Sequence, residues 1–187
     1  MIIRKAELKD SELIATYLML AMDSIIYKFI GKEDYDEARK FILYFIEQEN
    51  NQYSYQNCLV AENENTIVAA INYYDGSAFV HLREPILNGV RASFNKNFNP
   101  ENETEPGEYY IDALGVDPKM QGKGIGAKLL QFLIDKYVID ENKTLGLLVD
   151  EENPQAKKLY IKLGFKSVGK KTLVGQKMEH LQIKPTA

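Results

Sequence analysis

Leu114-Gly115-Val116-Asp117-Pro118-Lys119-Met120-Gln121-Gly122-Lys123-Gly124-Ile125-Gly126-Ala127-Lys128-Leu129-Leu130 is the densest signal in the chain. An apolar strand runs into a turn with glycine at three alternate positions, Gly122, Gly124 and Gly126, and a helix starts there. The first N–H groups of a helix lack internal partners and carry the positive end of its dipole, while glycine lets a phosphate oxygen come close. The pattern therefore predicts an anion cradle; a glycine-softened turn without a ligand is the plainer reading of the same residues. Spacing separates the phosphate-binding families. No window satisfies G-x-x-x-x-G-K-[ST], which excludes a P-loop. Gly122, Gly124 and Ala127 formally fit the dinucleotide fingerprint, but Asp117 to Gln121 intervene after the strand, whereas those glycines should follow it almost at once.

Outward from this stretch the chain alternates. Upstream, Glu108 to Val116 predicts the strand itself, and downstream Gly124 to Tyr137 a helix, Thr144 to Val149 a strand and Pro154 to Leu163 a helix. Phe165 to Val168 and Val174 to Leu181 are expected as closing strands. At the other end, Ile2 to Ala6 predicts a strand, Asp10 an N-cap, and Leu13, Ile14, Tyr17, Leu18 and Ala21 the apolar face of a helix. A second helix is expected from Asp34 to about Glu49, then a hairpin of Asn57 to Glu62 and Thr66 to Tyr74 turned by Asn63-Glu64-Asn65. Gly76 to Gly107 contains Phe79 to Phe94, a helical pattern interrupted at Pro85, and a polar stretch from Asn95 to Glu105; it is the best place for a functional insertion. The alternation predicts one α/β (α+β) domain over residues 1–187, without repeats or linkers.

Composition narrows the function. The 187 residues include 23 Lys and Arg against 27 Asp and Glu, a net charge of −4, and 45% are apolar. No basic block stands out, so neither a nucleic-acid nor an anionic-membrane surface is expected, and any anion must be held locally. A single cysteine, Cys58, makes no internal disulfide and no Cys-based zinc site. The two histidines, His81 and His180, are too far apart for a closely spaced metal motif, so no metal is expected. The N-terminus is charged by Arg4, and no apolar run of spanning length stands out, which predicts a cytoplasmic protein.

Two blocks resemble the GNAT superfamily of acetyl-CoA-dependent N-acetyltransferases. Gln121-Gly122-Lys123-Gly124-Ile125-Gly126 fits that family's Q/R-x-x-G-x-G/A loop, preceded by its V-x-P. Leu147, Val149, Asn153, Ala156, Leu159-Tyr160 and Gly164-Phe165 fit its later strand, asparagine, helix and L-Y-x-x-x-G-F pattern. The resemblance runs from about Tyr109 to Val168 and assigns no chemistry between Tyr17 and Glu108. It implies a GNAT-like mixed, mostly antiparallel twisted sheet flanked by helices on both sides. It also implies acetyl-CoA as cosubstrate, its pyrophosphate on Gln121, Gly122, Lys123, Gly124, Ile125 and Gly126, and its pantetheine arm on the backbone of Leu114 and Val116 and on Asn153. Asn153 also suits a helix N-cap before Pro154. Tyr160 corresponds to the family's proton donor to the leaving thiolate, and core packing is its plainer alternative.

Amine acetylation also needs a base. Period-two alternation puts Glu108, Tyr110 and Asp112 on one face of the strand unless a bulge intervenes, and Asp112 is nearer the thioester. Asp112, Glu108 or an ordered water all remain candidates for the base. Cys58 suits core packing better than an acetyl-cysteine intermediate. His180 is expected either at the acceptor site or in solvent, and His81 at the surface. Asp150-Glu151-Glu152 reads as a solvated loop that could attract a cationic acceptor. Tyr27, Phe29, Tyr73 and Tyr74 are candidates for the acceptor pocket. The function expected is direct transfer of acetyl to a primary amine of a small molecule or a protein; a non-catalytic acyl-CoA-binding sensor or interaction module is the alternative. A homodimer through the last strands is a family-level option.

Overall fold

The structure, a computed structural model, describes residues 1–186. It contains one seven-stranded sheet of order β1-β2-β3-β4-β5-β7-β6, with β1 at Ile2–Lys5, β2 at Cys58–Asn63, β3 at Thr66–Asp75 and β4 at Tyr109–Val116. β5 spans Leu145–Asp150, β6 Lys166–Leu173 and β7 Gln176–Ile183. All neighbours are antiparallel except β4 and β5. The β2–β3 hairpin turns at Glu64 and Asn65, both with positive φ, the conformation a two-residue hairpin turn requires.

Helices cover both faces. On one lie α1 (Ser11–Ile30), α2 (Tyr35–Ile46) and α3 (Phe79–Ser93), whose apolar sides form a core with Val60, Ala70 and Ala113 of the sheet. On the other lie α4 (Ile125–Leu133), continued as a π-helical segment Ile134–Asp140, and α5 (Pro154–Lys162), over Leu59, Ala69, Ile71, Ile111 and Leu147. Alternation along Cys58–Ala61 of β2 sends neighbouring residues to opposite layers, and a bulge at Val68 in β3 puts Val68 and Ala69 in the same one.

Several elements differ from the sequence expectations. α1 runs nine residues past Ala21, with a non-helical φ of −139° at Met22 inside it. Over Leu8–Ile30 it is apolar and long enough to cross a membrane by composition, contrary to the expectation that no run of that kind stood out. Here its apolar side chains, Ile14, Leu18, Ile26 and Phe29 among them, are core. Asp10 does not cap α1 through its side chain; the carboxylate accepts from Arg4 Nη1 at 2.7 Å and from the Glu7 amide at 2.8 Å. Pro85 sits within a continuous α3 instead of ending it. β6 reaches Leu173, so the last two strands form a hairpin turned at Val174 and Gly175.

Strand β4 has two special positions. α1 crosses it so closely that a Cβ on Gly115 would collide with the main-chain carbonyl of Tyr17, so only glycine fits there. The β3–β4 register shifts by one residue, Asn72 facing Ala113 while Tyr73 faces Ile111, which makes Asp112 the extra residue of a β-bulge. A bulge re-aims side chains. Ile111 packs in the α4 layer and Ala113 in the α1 layer, where unbroken alternation would have kept them together.

Candidate functional site

β4 and β5 pair only from Tyr109–Leu145 to Ile111–Leu147. Beyond that they part, leaving the β5-facing backbone of residues 112–116 without a strand partner while the other edge stays paired to β3. An unpaired strand edge is a template for an extended ligand. A cavity of about 240 Å³ threads the sheet at this point, and its walls come from both layers. From the α4–α5 layer come Asn153, Ala156 and Tyr160; from the α1 layer come Met22, Ile25, Tyr53 and Glu103; Asp112 and Leu114 lie between.

At the open end of β4 the glycine turn leads into α4. Asp117 fixes its start, its amide donating to Val68 at 2.8 Å and its side chain accepting from the Lys119 amide at 2.8 Å. Gln121 ties the turn back to the strand through Nε2 and the Val116 carbonyl at 3.1 Å. Gly122 and Gly124 have φ of +75° and +78°, where a side chain is strained. The first helical bond is Lys128 N–H to Gly124 at 3.1 Å, so the amides of Ile125, Gly126 and Ala127 are free to meet an anion. Gly126 is not positive in φ, and a Cβ there would make only ordinary contacts of 3.5 Å and 3.7 Å with Leu114 and Val116. Lys123 Nζ lies 3.3 Å from Met120 Sδ on the surface of the turn.

Asn153 caps α5, its Oδ1 accepting from the Ala156 amide at 3.1 Å with Pro154 behind it. The side-chain amide group is left for the cavity that the residue lines. Tyr160 lies on the next turns of the same helix, edge-on to Phe165, with its phenol pushed up to about 12 by burial.

The bulge turns the Asp112 carboxylate into a polar nest. Oδ2 accepts from the Tyr74 hydroxyl at 2.8 Å and from Gln52 Nε2 at 2.7 Å. The same Gln52 Nε2 reaches Glu103 Oε1 at 3.2 Å, so one amide bridges two carboxylates. Burial pushes both carboxyls up, and the neighbouring charge of Asp112 raises Glu103 further. Two carboxylates this close titrate as a pair. Glu103, only 5% exposed, is delivered by the loop after α3. Arg83 holds that loop, bonding Asn102 Oδ1 at 2.8 Å and the Pro100 carbonyl.

The other carboxylate expected on this strand is not in the cavity. Glu108 precedes β4 and is buried at its closed end, where its oxygens accept from Thr104 at 2.8 Å, His180 Nε2 at 2.9 Å and Gln182 Nε2 at 2.6 Å. These donors hold its carboxyl below the usual range despite burial, the behaviour of a structural anion rather than of a proton acceptor. His180 is thus explained too, as a partner of Glu108. His81 is exposed. Cys58 is fully buried, with its thiol pushed up to about 12, a core residue. Of the aromatic candidates, Tyr74 reaches the site through Asp112, Tyr73 packs under Tyr137 in the opposite layer, Phe29 packs on Phe98 in the core, and Tyr27 borders a separate surface hollow. Asp150 of the acidic run lines the cavity, whereas Glu151 pairs with Lys170. Gln52, Tyr53 and Glu103 carried no motif; only the polar stretch Asn95 to Glu105 drew attention to the loop that supplies Glu103. No group of His, Cys, Asp and Glu able to hold a metal is present among the described residues.

The chain matches the family described as the acetyltransferase (GNAT) family over residues 23–165. The N-alpha-acetyltransferase RimI of Mycobacterium tuberculosis is 41% identical over 66 residues, 35% of this chain and 40% of that protein. The spermine/spermidine N(1)-acetyltransferase of Bacillus subtilis is 30% identical over 79 residues, 42% of this chain and 52% of its own length. The chain therefore spans about half the length, or less, of these curated relatives. A solved structure described as an acetyltransferase covers 100% of both chains, with 28% identity and a TM-score of 0.78.

Proposed function

Because the chain belongs to the GNAT acetyltransferase family, we propose that it transfers the acetyl group of acetyl-CoA directly to a primary amine bound beside Asp112. One observation carries the reading: a single cavity at the parted β4–β5 edge brings Leu114, Asn153 and Tyr160 together with the carboxylate of Asp112. The glycine turn fits the cosubstrate, since its free amides at the start of α4 suit a pyrophosphate.

Acetyl-CoA bound there supplies the activated thioester. Gln121 to Gly126 would hold its phosphates, with Lys123 adding charge at the rim, and the unpaired edge at Leu114 and Val116 with Asn153 would hold the extended arm. Asp112 takes a proton from the acceptor's ammonium, which frees the nitrogen lone pair for attack at the carbonyl carbon. Unpaired strand amides beyond Ile111 suit the charge developing on the carbonyl oxygen. As the nitrogen–carbon bond forms and the carbon–sulfur bond breaks, the Tyr160 phenol gives its proton to sulfur. The second nitrogen proton leaves to solvent and the proton taken by Asp112 returns Tyr160 to its phenol form by way of solvent, so the sum is an N-acetyl amine, a thiol and one released proton, with both residues reset. Glu108 has no part in this sequence, because its lone pairs are already committed.

Calorimetric titration with acetyl-CoA tests the cosubstrate half of the reading. One site per chain is expected, weakened by Gly124→Val, which puts a strained side chain in the turn. Absence of binding to the wild type overturns the proposal.

A further inference from the structure

On the α1 side the cavity is lined by Tyr53, Glu103 and Asp112, and it has a roof. The β6–β7 turn is drawn onto α1 and the Glu103 loop by four hydrogen bonds. Lys28 Nζ donates to the Val174 carbonyl at 2.8 Å and Gln176 Nε2 to Ser24 Oγ at 3.0 Å. The Val174 amide donates to Glu101 at 3.0 Å, and Lys171 Nζ donates to the Glu103 carbonyl at 3.2 Å. The hairpin thereby lays Leu173 and Gln176 over the α1 side of the cavity.

Inside, the hydrogen bonding is incomplete. Two buried side-chain atoms lack a partner among the described residues, Tyr53 Oη and Asn72 Oδ1. Only Tyr53 lines the cavity, and the residue is 1% exposed. A buried hydroxyl left without a partner costs free energy, which a ligand offering a donor or acceptor would recover. Beside it stand the carboxyl groups of Glu103 and Asp112, neither paired with a cation among the described residues and both pushed up by burial, which a bound ammonium would bring back down. Arg83, the buried guanidinium of this region, is turned onto Asn102 and the Pro100 carbonyl and stacks over Phe79. What fits is a compact donor of positive charge with several N–H groups. An alkylammonium has three donors, enough for both carboxylates and the phenol oxygen.

We propose that the acceptor is a small alkyl primary amine, bound as its ammonium by Glu103, Asp112 and the hydroxyl of Tyr53 under the closed β6–β7 turn, not a protein N-terminus or lysine. The inference rests on the acetyltransferase reading and narrows its acceptor. Glu103 and Tyr53 select the cation, and Gln52 positions the two carboxylates by donating to both.

The test uses the full chain saturated with CoA, so that no turnover occurs, titrated at about pH 7.5 with n-butylamine, a cation there, and with 1-butanol. The amine should bind and the alcohol should not. Glu103→Gln should weaken the amine by about tenfold and Tyr53→Phe by about threefold, while acetyl-CoA affinity stays as in the wild type. Equal binding of amine and alcohol, or amine binding unmoved by both variants, overturns the proposal. So does acetylation of a free-N-terminus pentapeptide with a kcat/KM at or above that of butylamine. In all three cases acetyl-CoA binding remains, which separates this failure from that of the acetyltransferase reading, whose mark is loss of acetyl-CoA binding itself.

Discussion

Burial pushes the Tyr160 phenol up to about 12 without any fixed hydrogen-bond partner among the described residues, so its proton stays on oxygen at neutral pH. A thiolate leaving into the same desolvated cavity is raised by burial as well, which lets it take that proton as the carbon–sulfur bond breaks. Tyr160→Phe keeps the ring against Phe165 and removes only the proton; it should lower kcat by about a hundredfold with little change in the KM for acetyl-CoA, as steady-state kinetics would show. An unchanged kcat would remove Tyr160 from the acid role. The Glu103–Asp112 pair gives two linked expectations. As base, Asp112 must be unprotonated, so the acid limb of kcat/KM should lie above the ordinary carboxylate range and vanish in Asp112→Asn. For stability the sign is the reverse of the usual carboxylate. Glu103 is raised in the folded state, which therefore holds its proton more tightly than the unfolded chain, and stability falls as pH rises from the unfolded value through the folded one. Glu103→Gln, which never ionises, should melt higher than the wild type at neutral pH and no higher at about pH 4. A lower melting temperature at neutral pH would show that the charge is structurally needed.

Among the elements, β4 carries both a fixed glycine and a fixed irregularity. Gly115→Ala pushes a methyl group into the Tyr17 carbonyl of α1 and should destabilise by about 1–3 kcal/mol. Gly126→Ala meets only ordinary contacts and should leave the melting temperature nearly unchanged while weakening acetyl-CoA. Thermal melts of the two variants, with and without acetyl-CoA, separate packing glycine from ligand glycine. The elements themselves were largely legible in the sequence because period-two and helical patterns were strong from Ile2 to Ala21 and from Tyr109 to Tyr160. The Glu103 loop was not, since a polar stretch acquires its fold from distant partners such as Arg83 and Gln52. Nor was the committed state of Glu108. Alternation puts it on the face of Asp112, but its three donors come from Thr104 and from β7, more than seventy residues on. The bulge at Asp112 left no mark in the sequence either, and it is what turns that carboxylate toward Gln52 and Tyr74.

Across the whole molecule, two helical layers meet through one sheet that parts between β4 and β5, and the candidate site is where it parts. The bulge of β4 supplies Asp112, the α1 side Glu103 and Tyr53, and the α5 layer the phenol and asparagine, so a ligand in the cavity touches both layers at once. Binding to the folded state alone stabilises it, so acetyl-CoA at about a hundred times its Kd should add about 2.7 kcal/mol, seen as a higher melting temperature. The fold class was legible from the order of elements. That α1 continues past Ala21 to Ile30 as a core helix and that β6 and β7 form a hairpin reaching it were not, because both depend on which layer an apolar segment meets after the sheet has formed.

The most direct measurement incubates the protein with acetyl-CoA and small primary amines and counts, in one sample, released thiol and N-acetylated amine by mass spectrometry. We expect the two to appear together, one for one, only when amine is present, and to fall together in Tyr160→Phe. Thiol released without an acetylated amine, or an unchanged yield in that variant, would contradict direct transfer at this site.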